Sequence, residues 1–165
     1  MFEIKRATVV DIPLIRELCF QVWPHTYRNI ITQEQIDFML DLMYSTSALE
    51  FQMKTENCNF VLIYENQLPI GFASFSEIEP TIWKLHRLYI LQNQQGKGVG
   101  KFLVTYIIEE IENLKATSIQ LQVHRKNDAQ LFYQKLGFEI IKTADFDIGK
   151  GFLMTDFVME KKLNL

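Results

Sequence analysis

The most informative part of this sequence runs from residue 88 to residue 101 and reads LYILQNQQGKGVGK. An apolar run at residues 88–91 comes first, and a loop containing Gly96, Gly98 and Gly100 follows it. Glycines allow successive backbone N–H groups to point into one concavity, and a helix that starts there adds the positive end of its dipole. The stretch therefore predicts a strand, an anion-binding loop and a helix, and a pyrophosphate would fit the loop.

The charges around this loop also favour an anionic ligand. Residues 80–108 contain no Asp or Glu but contain Lys84, Arg87, Lys97 and Lys101, so the window carries +4 and the remainder −7, for a net charge of −3. A solvated helix face normally mixes both signs, so a local excess of cations indicates a bound anion.

Two common nucleotide-binding motifs do not fit the spacing of these glycines. The dinucleotide fingerprint needs glycines at i, i+2 and i+5, but the last position is Lys101 counted from Gly96 and Leu103 counted from Gly98. The P-loop needs a glycine where this chain has Gln95 and a Ser or Thr where it has Phe102. These mismatches exclude a Rossmann dehydrogenase and a P-loop ATPase.

Upstream of the loop, the periodicity of apolar residues predicts one strand, three helices and three further strands. Residues 2–7 alternate as a half-buried strand does, and Thr8 can cap a helix that Pro24 helps to stop. Thr32 and Ser45 each precede a further helical pattern, the second ending at about residue 53. The extended patterns that follow cover residues 60–64, 70–75 and 83–91.

Downstream of the loop, an amphipathic helix is followed by a strand, a helix and two strands. The extended patterns cover residues 118–123, 138–143 and 152–159, and Gly137 closes the helical pattern at 128–136. This order predicts an α/β fold: a central mixed β-sheet of about seven strands, flanked by helices, with a parallel crossover around the glycine loop. No linker or repeat interrupts the pattern, so we predict a single domain over residues 1–165.

The composition excludes several classes of protein. A 48% hydrophobic fraction is enough for a core, and 22% charged residues with a net charge of −3 argue against a disordered chain and a basic nucleic-acid binder. No stretch approaches the roughly 18–20 apolar residues that cross a bilayer, so we expect no membrane partner and a cytoplasmic location. Cys19 and Cys58 lack a Cys or His at ligand spacing, so we expect reduced thiols and no metal.

Two motifs together resemble a known family. The residues Gln95-x-x-Gly98-x-Gly100 match the Q/R-x-x-G-x-G/A pattern of the GNAT superfamily of acyl-CoA N-acyltransferases. Residues 127–138, with Asn127 and Tyr133, resemble the second signature of that family. The resemblance extends from about residue 4 to residue 163 and implies the GNAT fold. Asn127 precedes Tyr133 by six residues where many members have seven, which weakens the assignment of Asn127.

The resemblance implies that acetyl-CoA is the co-substrate and that it lies between two neighbouring parallel strands, near residues 88–91 and 121–124. The backbone of Leu88, Tyr89 and Ile90 would pair with the pantetheine amides as an added strand does. Asn127 and Phe132 would also contact the cofactor. The pyrophosphate would be held by the loop that comprises Gln95, Gly96, Lys97, Gly98, Val99, Gly100 and Lys101.

The resemblance also implies the roles of the catalytic side chains. The Tyr133 hydroxyl, with an ordinary pKa of about 10, would protonate the leaving thiolate. His86 resembles the position where many members carry Glu and some His, and its ordinary pKa of about 6.5 suits a base that takes the amine proton. The alternatives are a packed tyrosine and a structural histidine. His124 and His25 are weaker candidates for the base.

The acceptor pocket is expected from the first helices and the last strand loop. Trp23 and Tyr27 would form aromatic walls, His124 would contact the acceptor, and three acids could attract a cationic amine or be merely solvated: Asp145, Asp147 and Asp156. We therefore predict an enzyme that acetylates a small-molecule primary amine directly in a ternary complex, because neither cysteine lies in a family motif. A non-catalytic acyl-CoA sensor and a protein or peptide N-acetyltransferase stay open, as does a homodimer.

Overall fold

The protein is described by a computed structural model of residues 1–164, in which one mixed sheet has the strand order β1-β2-β3-β4-β5-β7-β6. The elements are β1 (Phe2–Arg6), α1 (Ile12–Tyr27), α2 (Gln33–Tyr44), α3 (Thr46–Lys54), β2 (Asn59–Glu65), β3 (Leu68–Glu79), β4 (Ile82–Ile90), α4 (Val99–Asn113), β5 (Ser118–His124), α5 (Ala129–Lys135), β6 (Glu139–Gly149) and β7 (Phe152–Lys162). Strands β4 and β5 pair in parallel, from Ile82 opposite Ser118 to Leu85 opposite Leu121. The predicted seven-stranded mixed sheet and its parallel crossover are confirmed.

The chain divides into two compact units. The first unit comprises residues 1–76 and 87–106, and the second comprises residues 77–86 and the chain from residue 107 onward. The first unit thus holds α1 to α3, β1, β2 and the glycine loop, and the second holds β5 to β7 with α5. A single functional domain over residues 1–165 stays a prediction.

The first helix differs from its prediction at Pro24. A capping box starts the segment, because the Thr8 backbone N–H donates to Asp11 and the Val10 N–H donates to the Thr8 hydroxyl. The expectation that Pro24 stops this helix is wrong, since α1 continues through Pro24 to Tyr27. A proline removes one helical hydrogen bond, but the Arg28 N–H donates to the Pro24 carbonyl at 3.1 Å and closes the last turn.

The β2–β3 hairpin turns through Asn66 and Gln67. Both residues have positive φ, +50° and +69°, as the two central residues of a tight hairpin turn of the primed type require. The strands pair from Asn59 opposite Phe75 to Glu65 opposite Leu68, with an irregularity at Ile63. The hairpin buries Phe60, Leu62 and Phe72, which lie in the core of the first unit.

The second unit is built on the antiparallel pairs β5–β7 and β6–β7. Strand β6 extends to Gly149, well past the predicted end at residue 143, because its polar residues continue to pair with β7 as far as Phe152. A sequence pattern based on apolar alternation does not detect such a strand, since most of its side chains are exposed. Gly137 closes α5 with a φ of +92°, as predicted.

Candidate active site

The glycine loop of the first unit has the conformation that an anion site requires. Gly96 and Gly98 have φ values of +79° and +82°, a region that L side chains rarely adopt, and no atom lies within 4 Å of the position that a Cβ would take at either residue. The Gln95 side-chain amide donates to the Ile90 carbonyl at 3.3 Å, which ties the loop to the end of β4. Space is therefore open beside both glycines of the loop.

Helix α4 begins at Val99, directly after the loop, and its first hydrogen bond runs from the Phe102 N–H to the Gly98 carbonyl at 3.0 Å. The N–H groups of the first helical turn have no intrahelical partner, and no acid occupies that turn. Val99 is 1% exposed, so its side chain fixes the helix in the core. The Lys97 ammonium donates to the Gln94 side chain at 3.2 Å and leaves its positive charge at the loop.

The predicted aromatic walls belong to a cluster inside the first unit. Trp23 is 1% exposed and packs on Tyr27 with ring centroids 4.4 Å apart. The Tyr27 and Tyr89 hydroxyls are 3.3 Å apart, and burial raises the pKa of Tyr89 well above its ordinary value. Trp23 thus lies in the core, and Tyr89 on β4 couples this cluster to the strand that leads into the glycine loop.

The second unit carries a polar sheet face formed by β4, β5 and β7. Lys84 lies opposite Gln120, and Gln120 lies opposite Glu160, to which its side-chain amide donates at 2.9 Å. His86 follows Lys84 by two residues and so shares this face, as predicted from the alternation of strand residues. His124 is four residues from Gln120 on β5, and Asp156 is four residues from Glu160 on β7, so both lie on this face too. They are directly opposite each other.

His124 uses both ring nitrogens inside the second unit. Its Nδ1 accepts a hydrogen bond from the Lys126 N–H at 3.1 Å, and its Nε2 lies 3.2 Å from the Thr155 hydroxyl. Because Nδ1 accepts, the ring is neutral, and burial together with Lys126 and Arg125 lowers the pKa of His124. A neutral, tethered imidazole is suited to holding the end of β5 in place.

Asp156 is a buried acid whose bonding is incomplete. The residue is 5% exposed, and its Oδ1 is buried without a hydrogen-bond partner. Burial raises its pKa to about 6, against the opposing effects of Lys84 and Arg125. Asp145 and Asp147, the two other acids predicted to attract a cationic amine, are exposed on β6. The sequence signal that distinguishes Asp156 from these two acids is its spacing of two residues from the buried Val158, which places both side chains on the same face of β7.

Helix α5 presents the second signature. Tyr133 is 8% exposed and packs edge-on against Phe132 and Phe138, with ring centroids 5.0 and 5.6 Å away. The Asn127 side-chain oxygen accepts the Ala129 N–H at 2.9 Å, so it caps the start of α5. The first unit thus holds the predicted loop, strand and aromatic residues, while His86, His124, Asn127, Phe132 and Tyr133 belong to the second.

The family model for the acetyltransferase (GNAT) domain matches residues 28–161. This chain belongs to the GNAT acetyltransferase family. The match covers the glycine loop and the second signature, so the resemblance inferred from Gln95, Gly98 and Gly100 is confirmed. The chain is accordingly an acetyl-CoA-dependent N-acetyltransferase.

Named relatives of this GNAT acetyltransferase differ in their acceptors. It is 27% identical to a spermidine N(1)-acetyltransferase of Thermoplasma acidophilum over 97% of this chain and 96% of that protein. It is 32% identical to the [ribosomal protein bS18]-alanine N-acetyltransferase of Haemophilus influenzae over 66% of this chain and 70% of that protein. The crystal structure of the PaiA N-acetyltransferase of Thermoplasma acidophilum with coenzyme A has a TM-score of 0.83 and 26% identity and covers 99% of each chain.

Three further properties bear on the chemistry of this acetyltransferase. Cys19 and Cys58 are free and buried, and burial raises the pKa of both thiols, which keeps them protonated. In the part of the chain that the structure describes, no three His, Cys, Asp or Glu side chains cluster as metal ligands. No helix between residues 1 and 164 has the length and apolar character of a membrane span.

Proposed function

We propose that this GNAT acetyltransferase transfers an acetyl group from acetyl-CoA to a primary amine of a small molecule, by direct attack in a ternary complex. The observation that carries the proposal is the open glycine loop at the start of α4, with positive φ at Gly96 and Gly98 and unobstructed space beside both. Acetyl-CoA supplies the activated thioester when bound. Direct transfer is supported by Cys19 and Cys58, because protonated, buried thiols are poor nucleophiles.

The cofactor-binding roles follow from this loop. In the proposal, the backbone of Leu88, Tyr89 and Ile90 pairs with the pantetheine, and Phe132 and Asn127 contact the cofactor. The pyrophosphate is bound by backbone N–H groups and two lysine side chains of the glycine loop. The loop comprises Gln95, Gly96, Lys97, Gly98, Val99, Gly100 and Lys101.

The catalytic roles are assigned to two side chains of the second unit. The Tyr133 hydroxyl donates a proton to the CoA sulfur as the C–S bond breaks. His86 takes a proton from the acceptor, directly or through water. Tyr27, Trp23 and His124 form or support the acceptor site. A cytoplasmic location and a homodimer stay predictions.

The share of this chain that aligns with each relative favours a small-molecule acceptor. The spermidine acetyltransferase aligns with almost the whole of this chain, including the first helices, whereas the alanine N-acetyltransferase of ribosomal protein bS18 aligns with two thirds of it. The second relative has the higher identity, so N-acetylation of a protein or peptide is the second candidate function.

A thiol-release assay tests the proposed function. Purified protein is incubated with acetyl-CoA and either spermidine or a peptide with an N-terminal alanine, and free CoA is measured. We expect saturable CoA release with spermidine and little with the peptide. CoA release with the peptide alone would replace the small-molecule acceptor by a protein acceptor. Acetyl-CoA binding without CoA release for either spermidine or the peptide would indicate a sensor.

A further inference from the structure

One carboxylate oxygen of Asp156, Oδ1, lacks a hydrogen-bond donor. That oxygen is buried and has no partner, although a buried carboxylate is normally satisfied by two or more donors. The residue directly across on β5 is His124, whose Nδ1 and Nε2 are already engaged with Lys126 and Thr155. On the other side, β6 presents Ala144, which has no polar side chain.

The neighbouring cations do not supply the missing donor. The Arg125 guanidinium donates to the Asp145 carboxylate at 2.7 Å and to the Ala144 carbonyl at 3.2 Å. The positive charge of Lys84 on β4 lowers the pKa of Asp156. Three charged or titratable residues thus lie near Asp156: Lys84 on β4, His124 on β5 and Arg125 directly after β5. None of them forms a hydrogen bond with its Oδ1.

The position of Asp156 is one where open sheets bind ligands. His124 is the last residue of β5, a strand that runs parallel to β4, so Asp156 lies beside the carboxyl end of a parallel strand. Ligands of open α/β sheets bind outside the carboxyl ends of such strands. The chemistry that would satisfy a buried carboxylate oxygen without a donor there is a group with both positive charge and N–H donors.

We propose that the Asp156 carboxylate binds the acceptor's ammonium group and removes its proton before the nitrogen attacks the thioester. This inference rests on the proposed function and identifies the acceptor class as a cationic primary amine. The pKa of about 6 fits the role, because the carboxyl group is ionised at neutral pH but is more basic than an exposed aspartate.

One ammonium proton passes to the Asp156 carboxylate and later to water. The neutral nitrogen forms the C–N bond with the thioester carbon, and the electron pair of the C–S bond leaves on sulfur. The second proton leaves the nitrogen as the amide forms and passes to His86, while Tyr133 donates its proton to the CoA sulfur. The proton that His86 took then restores the Tyr133 hydroxyl through water. The products are the amide, the CoA thiol and one proton.

The test compares Asp156→Asn with Glu160→Gln, a matched loss of charge on the same strand and the same sheet face. With spermidine and acetyl-CoA at neutral pH, we expect Asp156→Asn to lower kcat/KM by about 10²–10⁴-fold and Glu160→Gln to change it less than about threefold. The acidic limb of the kcat/KM profile near pH 6 should disappear in Asp156→Asn, and Asp156→Glu should restore part of the activity.

The outcomes separate the two proposals. If the wild-type protein releases CoA with spermidine and Asp156→Asn keeps both its kcat/KM and its acidic limb, the role of Asp156 is wrong and the proposed function stands. If the wild-type protein releases no CoA with spermidine, whether or not it does so with the alanine peptide, the proposed function fails and the role of Asp156 fails with it. Should Asp156→Asn not fold, Asp156→Ser is measured under the same criteria.

Discussion

Gly71 on β3 lies so close to Tyr89 on β4 that a Cβ at residue 71 would stand 2.6 Å from the Tyr89 carbonyl oxygen and 2.7 Å from the Ile90 side chain. Such separations are well inside van der Waals contact, so one of the two strands must move to accept any side chain. The carbonyl that would move belongs to the stretch of β4 proposed to pair with pantetheine.

Gly71→Ala is therefore expected to lower the free energy of unfolding by about 1–3 kcal/mol, as overpacking does in a well-packed core. It should also weaken acetyl-CoA binding, because the β4 backbone shifts. Urea denaturation and calorimetric titration measure the two effects. Wild-type stability in Gly71→Ala would show that the strands separate without cost and would contradict the close approach.

The glycine loop gives a prediction about cofactor binding. Gly98→Asp adds a negative charge where the phosphates are proposed to bind, and it also strains a backbone with a φ of +82°. Gly151→Asp is a matched control, since Gly151 has a φ of +78° and equally open surroundings in the β6–β7 turn. Both variants should lose similar stability, on the order of 1 kcal/mol.

Only Gly98→Asp should lose affinity for acetyl-CoA, by at least an order of magnitude in calorimetric titration. Gly98→Ala, which carries the strain without the charge, should lie between the wild-type protein and Gly98→Asp. Equal affinities in Gly98→Asp and Gly151→Asp would remove the loop from the cofactor site.

Tyr133 gives a prediction about the leaving group. Tyr133→Phe keeps the edge-on packing against Phe132 and Phe138 and removes the hydroxyl proton. We expect kcat to fall by about 10²–10⁴-fold while the affinity for acetyl-CoA stays unchanged. Tyr64→Phe on β2 is the control and should keep its kcat. A kcat within a few-fold of wild type would mean that solvent protonates the thiolate.

His86 gives a prediction about how kcat/KM depends on pH. If His86 takes the amine proton, His86→Ala should lower kcat/KM most at low pH, where little free amine exists, and less as the pH approaches the ordinary pKa of the amine. A uniform loss across the pH range would indicate that His86 positions the acceptor. Comparison with Asp156→Asn then decides which of the two groups on the polar face titrates in the acidic limb.

The sequence predicts the glycine loop because Gln95, Gly98 and Gly100 form a short pattern and the positive φ of Gly98 follows from its residue type. It predicts the parallel crossover because a strand, a helix and a second strand follow one another along the chain there. The continuation of α1 past Pro24 is different, because packing of Trp23 and Tyr27 in the core offsets the lost hydrogen bond. Local patterns do not contain that packing energy.

Asp156 shows the same limit at the site. Its two-residue spacing from buried Val158 separates it from Asp145 and Asp147, but its neighbours in sequence do not show which groups surround its carboxylate. Its burial depends on pairing with His124, which lies 32 residues earlier in the chain, and with Ala144 on β6. The number of donors around a carboxylate is set by such long-range pairs, so its proton affinity can be read only from the folded chain.

The raised pKa of Asp156 predicts how stability depends on pH. The folded protein binds a proton at this carboxyl up to about pH 6, whereas the unfolded chain releases it near the ordinary aspartate pKa of 3.8. Between these values the folded state holds more protons than the unfolded state, so the contribution of Asp156 to the free energy of unfolding falls as the pH rises. This sign is opposite to that of a salt-bridged aspartate.

Asp156→Asn removes the titration and should be more resistant to urea than the wild-type protein at neutral pH. From about pH 4.5 to about pH 7.5, the advantage of the variant should grow by about 2 kcal/mol, the part of the linkage that falls in this interval. Glu160→Gln should show no comparable change. A constant difference between Asp156→Asn and wild type across the interval would mean that the carboxyl is already well solvated or paired, and the basis for its proton-accepting role would be lost.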